Sequence, residues 1–118
     1  MSWGSVELEP EVRRWLEKLD DDGFGQAQFY IDLLEREGVG LGEPYTRQLQ
    51  GKLRELRFYL GRERYRITYY IAKGRRIILL TIFKKSAQKE VAEIERAEAA
   101  MARCVGQGHT AEEDGDAD

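Results

Sequence analysis

Three consecutive strand-like runs in the middle of the chain constrain its fold more than any other feature. Each run is rich in β-branched, aromatic and leucine residues, and glycine-containing turns separate them. Short runs of this composition, joined by such turns, indicate an antiparallel three-stranded meander. The runs cover residues 53–59, 64–71 and 77–83, with turns at Gly61 and at Lys73-Gly74.

Alternation along the first two runs predicts one apolar face and one basic face. The third run is apolar almost throughout, so we expect it to be central in the sheet or covered on both sides. In the first run Leu56 and Phe58 share a face with Arg54, and Leu53, Glu55, Arg57 and Tyr59 take the other. In the second run Tyr65, Ile67, Tyr69 and Ile71 form the apolar face, opposite Arg64, Arg66, Thr68 and Tyr70.

The charges of the chain are strongly segregated, although the net charge is only −3. Residues 51–89 hold twelve Lys or Arg and two Glu, whereas residues 1–50 hold eleven acids and five bases. Residues 90–118 hold nine acids and two bases. A local basic patch attracts phosphate whatever the total charge. The basic meander is therefore either a solvated surface or a phosphate-binding surface.

Several classes of site are excluded or disfavoured by composition. Cys104 is the only cysteine and His109 the only histidine, which argues against a disulfide framework, a multi-cysteine metal site and Ser-His or Cys-His catalysis. We expect no cofactor. No apolar run approaches the length of a membrane span and no secretory signal opens the chain, so we expect a cytoplasmic protein.

Elements flanking the meander complete an α+β pattern. A short strand is expected near residues 3–8, an amphipathic helix from Pro10, and a second helix from about Gly25 to Gly38. Residues 39–50 read as a loop, and a last helix capped by Ser86 is expected to end near Gly106. The order β-α-α-β-β-β-α predicts helices packed on one face of a mainly antiparallel, twisted sheet whose other face is partly open. Residues 1–105 then form the domain, and residues 106–118 an acidic, disordered tail.

A basic sheet face of this kind can bind RNA or cleave it. Cleavage by 2′-hydroxyl attack needs a base, an acid and cations that hold the phosphate, and it needs no metal. Arginine suits phosphate because its planar fork binds in a bidentate way, and neighbouring aromatic rings can stack an unpaired base. Base candidates are Glu55, Tyr70 or a lysine of lowered pKa. The available cations are Lys52, Arg54, Arg57, Arg64, Arg66, Lys84 and Lys85.

The same runs resemble the RelE/ParE toxin superfamily, with most similarity to the phage-derived HigB-type toxins of bacterial type II toxin–antitoxin systems. The resemblance covers about residues 3–104 and includes the order of elements. It rests on Leu53-Arg54-Glu55-Leu56-Arg57-Phe58, on Tyr65-Arg66-Ile67-Thr68-Tyr69, and on the run from Ile77 to Lys85. The chain differs from many relatives in being acidic at both ends and in having Thr81 where histidine is frequent.

This resemblance implies a RelE-like fold and a metal-independent endoribonuclease, an mRNA interferase that cuts mRNA on the ribosome and inhibits translation and growth. A helix-turn-helix antitoxin would neutralise it, and the toxin would reach operator DNA only through that antitoxin. By position, Arg57 and Arg66 would hold the scissile phosphate, Lys84 or Lys85 would stabilise or protonate, and Glu55 would orient Arg57. The residues expected to bind substrate are Lys52, Arg54, Arg64 and Tyr70.

Two other interpretations stay open at this point. A ParE-like poison of DNA gyrase would have the same fold without RNA chemistry, and a non-catalytic module would use the basic face to bind a partner. The nuclease interpretation requires Arg57 and Arg66 to be exposed side chains that point off the sheet. Burial of either arginine in a structural ion pair would count against the nuclease interpretation.

Overall fold

A computed structural model describes residues 2–86 and 90–107 as three helices and a five-stranded sheet. The strands lie in the order β1-β5-β4-β3-β2, with β1 parallel to β5 and the other neighbours antiparallel. The predicted α+β class is confirmed. The elements are β1 Ser5–Leu8, α1 Pro10–Glu17, α2 Asp21–Glu37, a 3-10 turn at Gly38–Gly40, β2 Thr46–Gln50, β3 Leu53–Leu60, β4 Glu63–Ala72, β5 Arg76–Lys84 and α3 Glu90–Gly106.

The segment expected to be a loop contains an additional strand, β2. Thr46 pairs with Leu56 and Arg47 with Glu55, so β2 extends the meander by one antiparallel strand. Its sequence gives a weak strand signal because Leu49 is its only apolar residue. An edge strand has one neighbour and tolerates that polarity, since much of its surface faces water.

The helices pack on both faces of the sheet, so the expectation of one covered face is wrong. Helices α1 and α2 cover the face that carries Leu56, Phe58 and Ile67, while α3 covers part of the opposite face. The reason lies in β5, which places Ile77 and Leu79 on one side and Ile78 and Leu80 on the other. A strand that is apolar on both sides is buried only when both sides are covered.

Local signals explain where the helices begin and end. Helix α2 begins at Asp21, earlier than expected, because the Asp20 carboxylate accepts a hydrogen bond from the Gly23 N–H at 2.7 Å. Its end at Gly38 has φ +54°, and a Cβ there would lie 2.1 Å from the Trp3 ring, so glycine is required.

Two expectations fall partly or wholly outside the ranges that the structure describes. The cap at Ser86 depends on residues 87–89, and most of the expected acidic tail lies in residues 108–118. The end of α3 at Gly106 agrees with the prediction. Among the described helices, none has the length and apolarity required to cross a bilayer.

Candidate nucleic-acid interface

Beyond the N-terminal end of α3, one half of the sheet presents a cluster of cations that we call the arginine face. The cross-strand register builds it in rows: Arg47 is opposite Glu55, Arg57 opposite Arg66, and Tyr59 opposite Arg64. Successive rows on one face are two residues apart, which is about 7 Å. The arginine face consists of Arg47, Arg57, Arg64, Arg66 and Lys85, with two carboxylates, Glu55 and Glu90, among them.

Glu55 lies at the centre of this cluster and is fully buried. Its Oε2 atom accepts a hydrogen bond from Arg66 Nη1 at 2.7 Å, and Arg57 Nε lies 3.7 Å from the same oxygen. Burial raises the pKa of the Glu55 carboxyl, and the charges of Arg66 and Arg57 oppose that rise. Glu55 therefore acts as a buried counter-ion that two arginines share.

The second oxygen of Glu55 is unusual. Oε1 is buried and has no hydrogen-bond partner within residues 2–86 and 90–107. A carboxylate with one oxygen bonded to Arg66 and the other buried cannot contact a substrate hydroxyl directly, so it is a poor acceptor for the proton of that hydroxyl. The expected orienting role of Glu55 fits this geometry better than a role as general base.

Arg66 does not meet the expectation of an exposed side chain. Only 4% of its side chain is accessible, and burial lowers the pKa of the guanidinium while Glu55 raises it. This is the buried structural ion pair that counts against the nuclease interpretation, and it keeps Arg66 from direct contact with a substrate. Arg57, in the same row, keeps 29% of its side chain exposed and remains available to a ligand.

The two adjacent lysines lie on different faces. Lys84 is opposite Tyr65, on the side of α1 and α2, and lies 3.7 Å from Glu63. Lys85 extends the pairing of β5, since its N–H donates to Arg64 C=O at 2.7 Å. Its Nζ lies 3.0 Å from Glu90 Oε1, at the start of α3. Lys85, not Lys84, therefore belongs to the arginine face.

Glu90 is held by the cations around it. Its hydrogen bond with Lys85 lowers the pKa of the carboxyl, and the charges of Arg66 and Arg47 add to that effect. The first turn of α3 thus closes one side of the arginine face with a negative charge.

Tyr70 is a core residue, and the structure does not bring it together with the exposed residues of the arginine face. It is fully buried beneath α3 with Leu53 and Ile78. Its hydroxyl donates to Cys104 Sγ at 3.3 Å, and burial raises the pKa of the phenol. Alternation placed Tyr70 on the correct face, but α3 covers that part of the face.

Lys52 and Arg54 lie at the other end of the sheet, away from the arginine face. Both line a cleft with Trp3, and Arg54 is on the side of α1 and α2. Arg54 Nε donates to the Tyr69 hydroxyl at 3.3 Å. The structure does not bring these two predicted substrate-binding residues together with Arg57, whereas Arg64 is exposed in the next row.

Thr81 is buried and forms hydrogen bonds with Thr68 on the neighbouring strand. Its hydroxyl and that of Thr68 lie 2.6 Å apart, and the Thr81 N–H donates to Thr68 Oγ1 at 3.2 Å. A shift of register between Thr68 and Tyr69 accompanies this pair. Thr81 thus stabilises a β-bulge and offers no proton to a ligand.

Sequence reasoning missed Arg47 because its strand was read as loop. Arg47 is exposed, and its charge lowers the pKa of both Glu55 and Glu90. Its pairing with Glu55 sets the face of Arg47, and Leu49, at a register irregularity between Gln48 and Gln50, packs beneath α3.

Chemically, the arginine face can hold an anion that has more than one negative oxygen. Arg57, Arg64 and Arg47 are the more exposed guanidinium groups, and the buried Glu55–Arg66 pair fixes the sheet between them. No group of three or more His, Cys, Asp or Glu side chains suited to a metal occurs within the described ranges.

Comparisons with known proteins agree with this architecture. The sequence model of the family described as "Phage derived protein Gp49-like (DUF891)" matches residues 14–102. The free-state structure of an Escherichia coli RelE toxin with two arginine-to-alanine substitutions superposes with a TM-score of 0.58 at 14% identity. That match covers 87% of this chain and 98% of the RelE chain. No curated protein matches the sequence.

Proposed function

The chain belongs to the phage-derived Gp49-like family, and on this basis we propose that it is the toxin of a type II toxin–antitoxin system. The predicted resemblance to the RelE/ParE superfamily is confirmed, and the fold is RelE-like. We further propose that the toxin is an mRNA interferase, a metal-independent endoribonuclease of HigB type that inhibits translation and growth. The observation that carries this proposal is Arg57, which keeps 29% of its side chain exposed beside the buried Arg66–Glu55 pair.

In this proposal Arg57 binds the scissile phosphate and stabilises the charge that develops during attack by the 2′-hydroxyl. Glu55 is a positioning residue, because its Oε2 atom holds both arginines. Arg66 acts through the same pair, by fixing the carboxylate at 2.7 Å and thereby the orientation of Arg57. Lys85 and Arg64, on the next row, complete the positive surface around the phosphate.

The proton transfers are assigned to groups outside this cluster. Glu55 is buried and already bonded, and Tyr70 lies beneath α3, so neither reaches a substrate hydroxyl. A toxin that supplies positioning and charge stabilisation depends on another source for proton transfer. We propose that cleavage takes place on the ribosome, as the family resemblance implies.

The remaining parts of the proposal follow from the family. A cognate antitoxin, of the helix-turn-helix type, neutralises the toxin, and the toxin reaches operator DNA only through it. Ribosomal mRNA is cytoplasmic, so we propose that location and no membrane partner.

The test is cleavage of mRNA by purified protein, with and without programmed ribosomes. Arg57→Ala is compared with Arg14→Ala, which removes an exposed arginine from α1, on the other side of the sheet. We expect cuts on the ribosome that Arg57→Ala abolishes and Arg14→Ala preserves. Cuts on naked RNA would retain the nuclease and exclude the ribosome. Absence of cleavage, together with inhibition of DNA gyrase that survives Arg57→Ala, would replace the proposal with a ParE-like activity.

A further inference from the structure

A cleft lies at the edge of the sheet beside the first residue of β2, where β3 continues beyond it. The last contact between these segments is the hydrogen bond from the Arg57 N–H to Tyr45 C=O, at 2.8 Å. Beyond it, residues 58–60 have no strand partner on that side among the described residues. The cleft has a volume of about 260 Å³, and we call it the edge cleft.

The edge cleft is lined mainly by aromatic rings, two of which are exposed. Tyr45 is 40% exposed and Tyr59 56% exposed, whereas Phe58 is buried. Tyr30 stacks on Phe58 with ring centroids 5.6 Å apart, and Tyr45 lies 6.4 Å from Tyr30. Exposed rings grouped around one cavity are a binding feature more often than an accident of folding, because they leave apolar surface in water.

The cleft is continuous with the arginine face. Arg57, Arg64 and Arg66 line it as well, and no carboxylate does. Tyr59 is directly opposite Arg64, in the row next to the Arg57–Arg66 pair, and successive rows are about 7 Å apart along the strand. A ligand of the edge cleft therefore meets aromatic rings and positive charge together.

We propose that the edge cleft binds one unpaired RNA base, stacked on Tyr59 or Tyr45, while the phosphate beside it contacts Arg57 and Arg64. This rests on the proposed function and adds to it a subsite for a nucleotide next to the cut. The cleft is smaller than the usual pocket for a drug-sized ligand, which suits a single planar ring. Stacking on aromatic rings beside a cationic track is how proteins hold single-stranded nucleic acid.

The lining favours RNA over a protein partner. Arg57 and Arg66 share Glu55 as a counter-ion, but one carboxylate does not balance the charge of three arginines, so the lining favours an anionic ligand. An acidic segment of a protein partner is the competing occupant, and the test below separates the two.

The experiment measures binding of a short single-stranded RNA whose riboses are all 2′-O-methylated, so that it cannot be cut. A set of such probes carries an abasic residue at each position in turn. The variants are Tyr59→Ala, Tyr59→Phe, and Phe24→Ala as the matched control, an exposed aromatic on α2 that does not line the cleft. Fluorescence anisotropy at low salt gives the affinities.

We expect Tyr59→Ala to weaken binding about tenfold, and Tyr59→Phe and Phe24→Ala to change it less than twofold. One abasic probe is expected to bind the wild-type protein about tenfold more weakly than the intact probe does. Tyr59→Ala is expected to bind that abasic probe and the intact probe equally, because the ring stacks on the missing base.

Four results would overturn the inference. The first is equal RNA affinity of Tyr59→Ala and Phe24→Ala, and the second is a loss of affinity in Tyr59→Ala that adds to the loss caused by every abasic probe. The third is no binding of any probe at millimolar concentration, and the fourth is a Tyr59→Ala protein that no longer binds the antitoxin but still binds RNA. Ribosomal cleavage that depends on Arg57 would leave the proposed function standing in each case. If Arg57→Ala neither weakens binding nor reduces cleavage, the proposed function fails as well.

Discussion

Replacing Arg66 by alanine tests whether the buried ion pair is structural. In the folded protein Arg66 and Glu55 have 4% and 1% of their side chains exposed, with 2.7 Å between Nη1 and Oε2. Removal of the guanidinium leaves a buried carboxylate whose only close cation within the described ranges is Arg57, with Nε 3.7 Å away. Breaking one partner of a buried pair costs about 3–5 kcal/mol, because the remaining charge is uncompensated.

The structure places the expected loss at the lower end of that range. Arg57 supplies part of the missing charge, and the carboxyl can take up a proton instead of staying ionised. We therefore expect Arg66→Ala to lower the free energy of unfolding by about 3 kcal/mol at neutral pH. For a domain of this size that corresponds to a fall in Tm of roughly 12 °C.

The loss depends on pH in a direction fixed by Glu55. Its pKa is raised above 4.5 in the folded protein by burial, and Arg66 is the largest influence that lowers it. Without Arg66 the pKa rises further, so above pH 4.5 the folded variant keeps a proton that the unfolded chain releases. Stability therefore falls as pH rises through the raised pKa. The destabilisation of Arg66→Ala is expected to be smaller at pH 5 than at pH 8.

Urea unfolding of wild type, Arg66→Ala and Glu55→Gln/Arg66→Ala at both pH values measures these quantities. The double variant has no buried charge, so it is expected to recover part of the lost stability and to show little difference between the two pH values. A single variant within 1 kcal/mol of wild type at pH 8 would refute the argument, since the pair would then contribute no more than a surface ion pair.

Three further predictions concern the arginine face and its surroundings. Glu90→Gln removes a negative charge that lies among Lys85, Arg66 and Arg47. Its RNA affinity is expected to exceed that of wild type roughly two- to fivefold at low salt and to equal it at high salt. A salt titration of RNA binding measures both. The Lys85–Glu90 pair stabilises the fold by less than about 1 kcal/mol. Because the folded pKa of Glu90 is lowered, that contribution is present above pH 4.5 and lost as pH falls through the folded pKa. The unfolding free energies of wild type and Glu90→Gln are therefore expected to differ at pH 7 and to converge on acidification below pH 4.5. Tyr70→Phe removes a buried hydroxyl that is bonded to Cys104. It is expected to lower the free energy of unfolding by about 1 kcal/mol and to leave mRNA cleavage unchanged.

Residue alternation predicted the faces of the meander well, because the period of a strand is fixed by its backbone. The apolar face of β4 and the basic face of β3 lie where the pattern placed them. Alternation could not predict which of Lys84 and Lys85 lies on the basic face, because β5 is apolar on both sides and its pattern does not distinguish the two faces. It also could not show that α3 buries Tyr70 and leaves Arg64 exposed on the same face.

The sequence pattern could not predict the burial of Arg66, for a different reason. A local pattern reports which face a side chain takes, but the depth depends on what lies on either side. Arg66 is in β4, which has strands on both sides, and Arg57 is in β3, whose outer neighbour ends beside it. The position of the missed strand β2 thus decides which of the two arginines a ligand can reach.

The same geometry explains how a chain with net charge −3 can present a surface for a polyanion. Charges act over about 8–10 Å at physiological salt, so acids elsewhere on the molecule are screened from the arginine face. Of the two carboxylates in the cluster, Glu55 is buried between arginines and Glu90 is bonded to Lys85. Neither leaves a free negative charge facing a ligand, while Arg47, Arg57 and Arg64 remain at the surface. The field that an approaching phosphate meets is therefore positive, and the total charge of the chain does not determine whether RNA binds.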